Sequence, residues 1–135
     1  MNLKMCLRVS ALVSAVIVIG LAQTVADYQP LMKAGASANG ALRKTLESDL
    51  AGAADQAAQV KAAFAKIEQF WAKHKVEDAQ KWARSVMEGA DAVAAAAKAG
   101  NKEAAMAAAK GIGANCQGCH TAHRDKGADG QFIIK

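Results

Sequence analysis

The stretch that decides the interpretation of this chain is Cys116-Gln117-Gly118-Cys119-His120, near the carboxyl end of 135 residues. Two cysteines three positions apart and a histidine directly after them form the pattern C-x-x-C-H, which is typical of covalent haem attachment. On one helical turn both thiols can reach the same porphyrin edge while the histidine binds the iron. We therefore predict one covalent haem c per chain, with Cys116 and Cys119 as anchors and His120 as proximal iron ligand.

Other kinds of site use some of the same residues. A disulfide or a thioredoxin-like redox pair also has the pattern C-x-x-C, but it belongs to strand-containing folds and needs no histidine at this position. A zinc site needs four ligands, and His74 and His123 are not spaced as a second ligand pair. A metal-stapled structural bundle without haem is a further alternative, which a red purified protein would exclude.

The sequence before the motif has the periodicity of helices. Its only proline is Pro30, and the strong helix formers Ala, Lys, Glu and Gln dominate. Apolar or small residues recur at steps of three and four, which is typical of helices in a bundle. These positions are Met32, Gly35, Ala38, Leu42 and Leu46; Val60, Phe64, Ile67, Trp71 and His74; Ala79, Trp82, Val86, Ala90, Val93 and Ala97; and Ala105, Ala109, Ile112, Cys116 and His120.

Capping residues separate these segments. Asp27 before Pro30 favours a helix start, and Ser48 with Asp49 interrupts the run. Gly100 and Asn101 are typical of a helix end followed by a new N-cap. Helices of about 20 residues joined by short turns predict an all-α fold, an antiparallel up-down-up-down four-helix bundle with the haem-attachment motif at its C-terminal end. The tail, residues 127–135, is predicted to fold back as an extended strip.

The first residues have the pattern of a secretory signal peptide. A basic start is followed by an apolar run over residues 11–21 and by small residues up to Ala26. A membrane-spanning helix is the alternative, but the run is shorter than the roughly 20 residues that a span needs. We therefore predict that residues 1–26 are a signal peptide and that residues 27–135 form a periplasmic domain without a membrane anchor.

Charge and composition exclude other functions. The formal net charge is +5, but no cluster of Lys and Arg is interleaved with aromatic residues, so we predict no nucleic-acid binding. No further base, nucleophile or metal cluster accompanies the motif, so we do not expect an enzyme. Arg124, four residues after His120, would share its helical face and could contact the haem edge or a propionate, or simply be solvated near the helix end.

Several glycines leave two interpretations open. Gly111 and Gly113, about one turn before Cys116, and Gly35, close to Met32, either allow a close approach to the porphyrin or are tolerated weak positions in a helix. Gly118, inside the motif, has no side chain that could crowd the porphyrin ring.

A haem motif at the C-terminal end of four helices resembles class II cytochromes c, the family of cytochrome c prime. The resemblance runs from Tyr28-Gln-Pro-Leu-Met32 to the segment Ile112–Arg124 and covers nearly all of residues 27–135. It implies that Met32 is the distal iron ligand, as in low-spin members, and that the protein carries electrons between periplasmic redox partner proteins. In cytochrome c prime itself the iron is five-coordinate and binds nitric oxide or carbon monoxide, which is the alternative function here.

Met32 could also be an ordinary core residue. The resemblance further makes a homodimer, paired through the first two helices, one expectation.

Overall fold

The computed structural model describes the backbone of residues 3–135 and the side chains of residues 26–135. Over this range the chain forms α1 (Leu3–Ser48), α2 (Ala53–Lys73), α3 (Glu77–Lys98), α4 (Lys102–His123), β1 (Arg124–Lys126) and β2 (Phe132–Ile134). Helices that follow each other in sequence pack side by side through short turns, and α1 also contacts α4. The predicted four-helix bundle is therefore confirmed for the described residues.

The predicted apolar positions form the core. In α2 the side chains of Val60, Phe64, Ile67 and Trp71 are at most 5% exposed. Burying each such side chain stabilises the fold by about 1.5–3 kcal/mol. His74, predicted on the same face, is exposed instead, because α2 ends at Lys73 and His74 lies in the turn that follows.

The start of the first helix differs from the prediction. The backbone is helical from Leu3, so α1 passes through Asp27 and Pro30 without the predicted break. Proline removes one amide donor from the helix, and here the helical residues on both sides maintain the conformation without a cap. The predicted signal peptide lies, up to Val25, outside the residues whose side chains are described, and its cleavage stays a prediction. Among the described residues no helix is long and apolar enough to cross a membrane.

Two predicted helix boundaries are confirmed. Gly100 has a φ of 70°, a left-handed conformation that glycine adopts without strain. The Asn101 side chain then accepts a hydrogen bond from the amide of Ala104 at 2.9 Å, as expected for an N-cap. Before α2, the carboxylate of Asp49 accepts a hydrogen bond from the amide of Gly52 at 3.1 Å.

The C-terminal residues form a short antiparallel hairpin at the end of the bundle. Strand β1 follows α4 directly, and Arg124 pairs with Ile134 and Lys126 with Phe132. The tail therefore folds back in extended form, as predicted. Arg124 is extended rather than helical, because α4 ends at His123, so the argument that Arg124 shares a helical face with His120 is wrong.

Candidate functional site

The C-x-x-C-H motif lies on the last two turns of α4, on the side that faces the rest of the bundle. Cys116, Cys119 and His120 are all partly buried, and neither thiol is paired with a described cysteine. Both thiols line one narrow cavity of about 20 Å³ together with His120 and Met32. The structure thus brings together the three motif residues and the methionine that the family resemblance implied.

Met32 approaches His120 from the opposite helix. Its Sδ atom lies 3.4 Å from Nε2 of His120, although the two residues are 88 positions apart in the sequence. Metal bonds to imidazole nitrogen and to sulfur are about 2.0 and 2.3 Å long, so a metal between these atoms needs them roughly 1 Å farther apart. The donor set and its arrangement therefore fit an iron held between α1 and α4 after a small separation of the two helices.

Two clefts adjoin His120. One cleft of about 580 Å³ is lined by Cys116, His120 and Arg124 among others. A second cleft, of about 400 Å³, is lined by Met32, Cys119, His120 and Arg124 among others. Because each cysteine lines one of these clefts and both line the narrow cavity, the residues present fit a group attached to the chain by two thioether bonds.

Burial controls the protonation of the motif. Burial, together with the charges of Cys116 and Asp78, raises the pKa of the Cys119 thiol to about 11, and burial also raises the pKa of Cys116. Burial and the positive charge of Arg124 lower the pKa of His120. At neutral pH the thiols are therefore protonated and the imidazole is neutral, which is the form that binds a metal.

Arg124 lies beside the motif, although it is not on the helix. It lines both clefts next to His120, and its guanidinium carbon is 4.2 Å from the centre of the Phe132 ring on β2. The hairpin, rather than the helical repeat, therefore brings Arg124 to the site. A role in contacting a haem edge or propionate remains a prediction.

Tyr28 and Trp71 are residues of the site that sequence reasoning missed. The Tyr28 hydroxyl donates a hydrogen bond to Sδ of Met32 at 3.6 Å, and the Trp71 indole N–H donates to the Tyr28 hydroxyl at 3.3 Å. The sequence signal was the spacing of four between Tyr28 and Met32, which puts both on one helical face. Trp71 was predicted as a core residue, and it is 3% exposed.

The glycines near the motif have different surroundings. A Cβ atom added to Gly118 would lie 2.5 Å from the Trp82 ring, so the absence of a side chain accommodates Trp82. A Cβ added to Gly35 would lie 3.0 Å from Phe64 and Ile67, so the missing side chain lets α1 pack closely on α2, and an approach of Gly35 to a porphyrin stays a prediction. Gly111 and Gly113 have no such neighbour within 4 Å among the described residues, so close packing does not explain them.

His74 lines none of the cavities around His120, whereas His123 lines the cleft of about 400 Å³ but is paired with Asp78. Nε2 of His123 lies 2.8 Å from the carboxylate of Asp78, and its ring packs 5.5 Å from that of Trp71. Burial acts to raise the Asp78 pKa, but the hydrogen bond and charge of His123 outweigh it and lower that pKa. Over the part of the chain with described side chains, no three His, Cys, Asp or Glu residues are grouped to hold a metal ion, so the arrangement gives the zinc alternative no support.

Comparison with known proteins gives structural neighbours. No protein-family model matches the sequence, and no curated protein matches it. One similar solved structure is a cytochrome c′ with ligand-controlled dimer dissociation, with 21% identity, a TM-score of 0.47, and coverage of 84% of this chain and 95% of that one. Another is cytochrome c′ from Thermochromatium tepidum, with 21% identity, a TM-score of 0.46 and the same coverage.

Proposed function

We propose that this chain is a c-type cytochrome that carries single electrons through an iron held by His120 and Met32. The observation that supports this most strongly is the contact between Nε2 of His120 and Sδ of Met32 at 3.4 Å, directly beside the two thiols. Imidazole and thioether are the ligand pair of electron-carrying cytochromes c, and the methionine raises the reduction potential. The residues of the C-x-x-C-H motif alone would not distinguish an electron carrier from a gas-binding protein.

Each residue has a distinct task in this proposal. Cys116 and Cys119 each form a thioether when sulfur and hydrogen add across a vinyl double bond, so no atom leaves. His120 would hold the iron through its neutral imidazole nitrogen and Met32 through its thioether sulfur. Bound haem supplies the one-electron exchange between ferric and ferrous iron. On the strength of the predicted signal peptide, we propose that this occurs in the periplasm with redox proteins as partners, and we propose no enzymatic reaction.

The sixth ligand can be tested with a pair of methionine variants. We expect the oxidised purified protein to be low-spin by electron paramagnetic resonance and to show an iron–sulfur charge-transfer band. Met32→Ala should abolish this band and give a high-spin spectrum. Met87→Ala is the matched control, since Met87 is also partly buried but lines none of the cavities around His120. A high-spin spectrum of the natural chain that Met32→Ala leaves unchanged would contradict the proposal.

Covalent attachment has a separate test. Cys116 and Cys119 are expected to keep the haem on the chain after denaturation and acid–acetone extraction. A double variant, Cys116→Ser with Cys119→Ser, should release all of its haem under the same treatment. Haem that is extracted from the natural chain would show that the thiols do not form thioethers.

A second candidate function is the binding of nitric oxide or carbon monoxide. The hydrogen bond that the Met32 sulfur accepts from Tyr28 at 3.6 Å favours it, because a sulfur held in this way and not bound to iron would leave one coordination position to the gas. Spectral titration of the reduced protein with carbon monoxide distinguishes the two functions. An electron carrier should bind the gas weakly until Met32 is replaced by Ala, whereas a gas-binding protein should bind it equally well with either residue.

A further inference from the structure

A chain of hydrogen bonds leads from the core to the sulfur of Met32. The Trp71 indole N–H is 3.3 Å from the Tyr28 hydroxyl oxygen, which in turn is 3.6 Å from Sδ of Met32. An indole N–H can only donate a hydrogen bond. The Tyr28 oxygen therefore accepts from Trp71, and its own hydrogen is directed to the sulfur.

From this arrangement we propose that Tyr28 is a positioning residue that directs the Met32 sulfur toward His120 and sets the reduction potential of the iron centre. This proposal rests on the proposed function, in which Met32 is the distal ligand. It adds a role for a hydroxyl that does not itself touch the metal. Trp71 has the supporting role of fixing that hydroxyl.

The Tyr28 ring is held in place by packing against two other aromatic rings. Its ring centre lies 4.8 Å from that of Phe70 and 5.0 Å from that of Trp71, and the three rings form one cluster. Tyr28 and Met32 are on the same helix four residues apart, so the bond between them does not depend on the distance between α1 and α4. A separation of these helices that admits an iron would therefore leave the hydroxyl beside the sulfur.

The hydrogen bond from Tyr28 acts on the electron density of the Met32 sulfur. A hydrogen bond to the sulfur withdraws electron density from it and makes it a weaker donor to ferric iron than it would be alone. Ferric iron depends more on this electron density than ferrous iron does, so the hydrogen bond favours the reduced state and raises the potential.

The test replaces Tyr28 by Phe, which keeps the ring and removes only the hydroxyl. A neutral hydrogen bond corresponds to about a two- to tenfold change in an equilibrium. We therefore expect Tyr28→Phe to raise the ratio of oxidised to reduced protein about two- to tenfold at a fixed applied potential, while the iron–sulfur band remains but shifts in energy. Trp71→Phe should change the ratio in the same direction by a smaller factor.

The control is Met87→Ala, a partly buried residue that lines none of the cavities around His120, and it should leave the potential unchanged. A Tyr28→Phe protein with an intact iron–sulfur band, the natural potential and the natural band energy would overturn the proposal. If the natural chain has no band that depends on Met32, the proposed function itself fails and this proposal with it. The two failures are distinguished by the spectrum of the natural protein.

Discussion

Replacing Gly118 by Ala tests how closely α4 packs against α3 inside the haem motif. The new Cβ would lie 2.5, 2.8 and 3.0 Å from three carbons of the Trp82 ring. Carbon atoms in contact prefer about 3.5–4.0 Å, so the ring has to move by roughly 1 Å. Such overpacking costs about 1–3 kcal/mol, while alanine gains about 0.5–1 kcal/mol over glycine in a helix. We expect Gly118→Ala to lower the free energy of unfolding by about 1 kcal/mol.

Gly111→Ala is the matched control on the same helix. A Cβ at Gly111 would meet no described atom of another element within 4 Å, so only the helix preference applies. We expect this variant to be more stable than the natural chain by about 0.5–1 kcal/mol. The assay is urea unfolding of the purified protein followed by far-ultraviolet circular dichroism, with the midpoint and the slope compared among the variants.

The Trp82 ring should be the cause of the difference between the two variants. In a Trp82→Leu background, Gly118→Ala should become as favourable as Gly111→Ala, which a double-mutant cycle measures directly. A Gly118→Ala protein at least as stable as the natural chain, or a loss of stability that persists without Trp82, would contradict close packing between Gly118 and Trp82.

Further predictions concern a cap, the single tyrosine and a surface ion pair. Asn101→Ala removes the acceptor for the amide of Ala104 and should lower the free energy of unfolding by about 1 kcal/mol, as measured in urea. Asn101→Gly should lower it by only about 0.3 kcal/mol, and equal losses in the two variants would contradict a capping role. Burial raises the pKa of Tyr28 from 10 to about 12, so the neutral phenol contributes stability that is complete below pH 10 and lost as the pH rises to about 12. This loss is at most about 2.7 kcal/mol at 1.36 kcal/mol per unit, and Tyr28→Phe should remove that part of the pH dependence, which urea unfolding at several pH values checks. Lys61 and Asp91 are 2.7 Å apart, but both side chains are about half-exposed. Lys61→Met should therefore change the free energy of unfolding by less than about 1 kcal/mol, and the change should be smaller in 1 M salt. A larger loss that does not depend on salt would indicate another role for Lys61.

The sequence could predict the bundle because helix periodicity and caps are local signals. The face formed by Val60, Phe64, Ile67 and Trp71 is buried as predicted, and Asn101 caps its helix. The hairpin could not be predicted in the same way, because it depends on pairing between β1 and β2 and not on a repeat. The prediction that Arg124 lies on a helical face was wrong for the same reason, because Arg124 belongs to β1.

The part of the site that could be predicted from the sequence is the part that belongs to one short motif. Cys116, Cys119 and His120 lie within five residues, so spacing alone brings them together. The approach of Met32 joins two ends of the domain, and only the family resemblance suggested it before the fold was known. The contact between Gly118 and Trp82 could not be predicted, because Trp82 lies on another helix and no local pattern indicates such a contact.

The contact between Met32 and His120 has a consequence for the stability of the whole bundle. These residues are 88 positions apart, so a bond that bridges them would close a loop containing most of the folded domain. A covalent cross-link over a loop of this length restricts the unfolded chain by roughly 4–5 kcal/mol in the chain-entropy description. A bridged pair would cross-link the first and last helices, as a disulfide does, but any molecule that displaces the sulfur would break the cross-link. Displacement of a single ligand atom would then lower the free energy of unfolding of the whole domain.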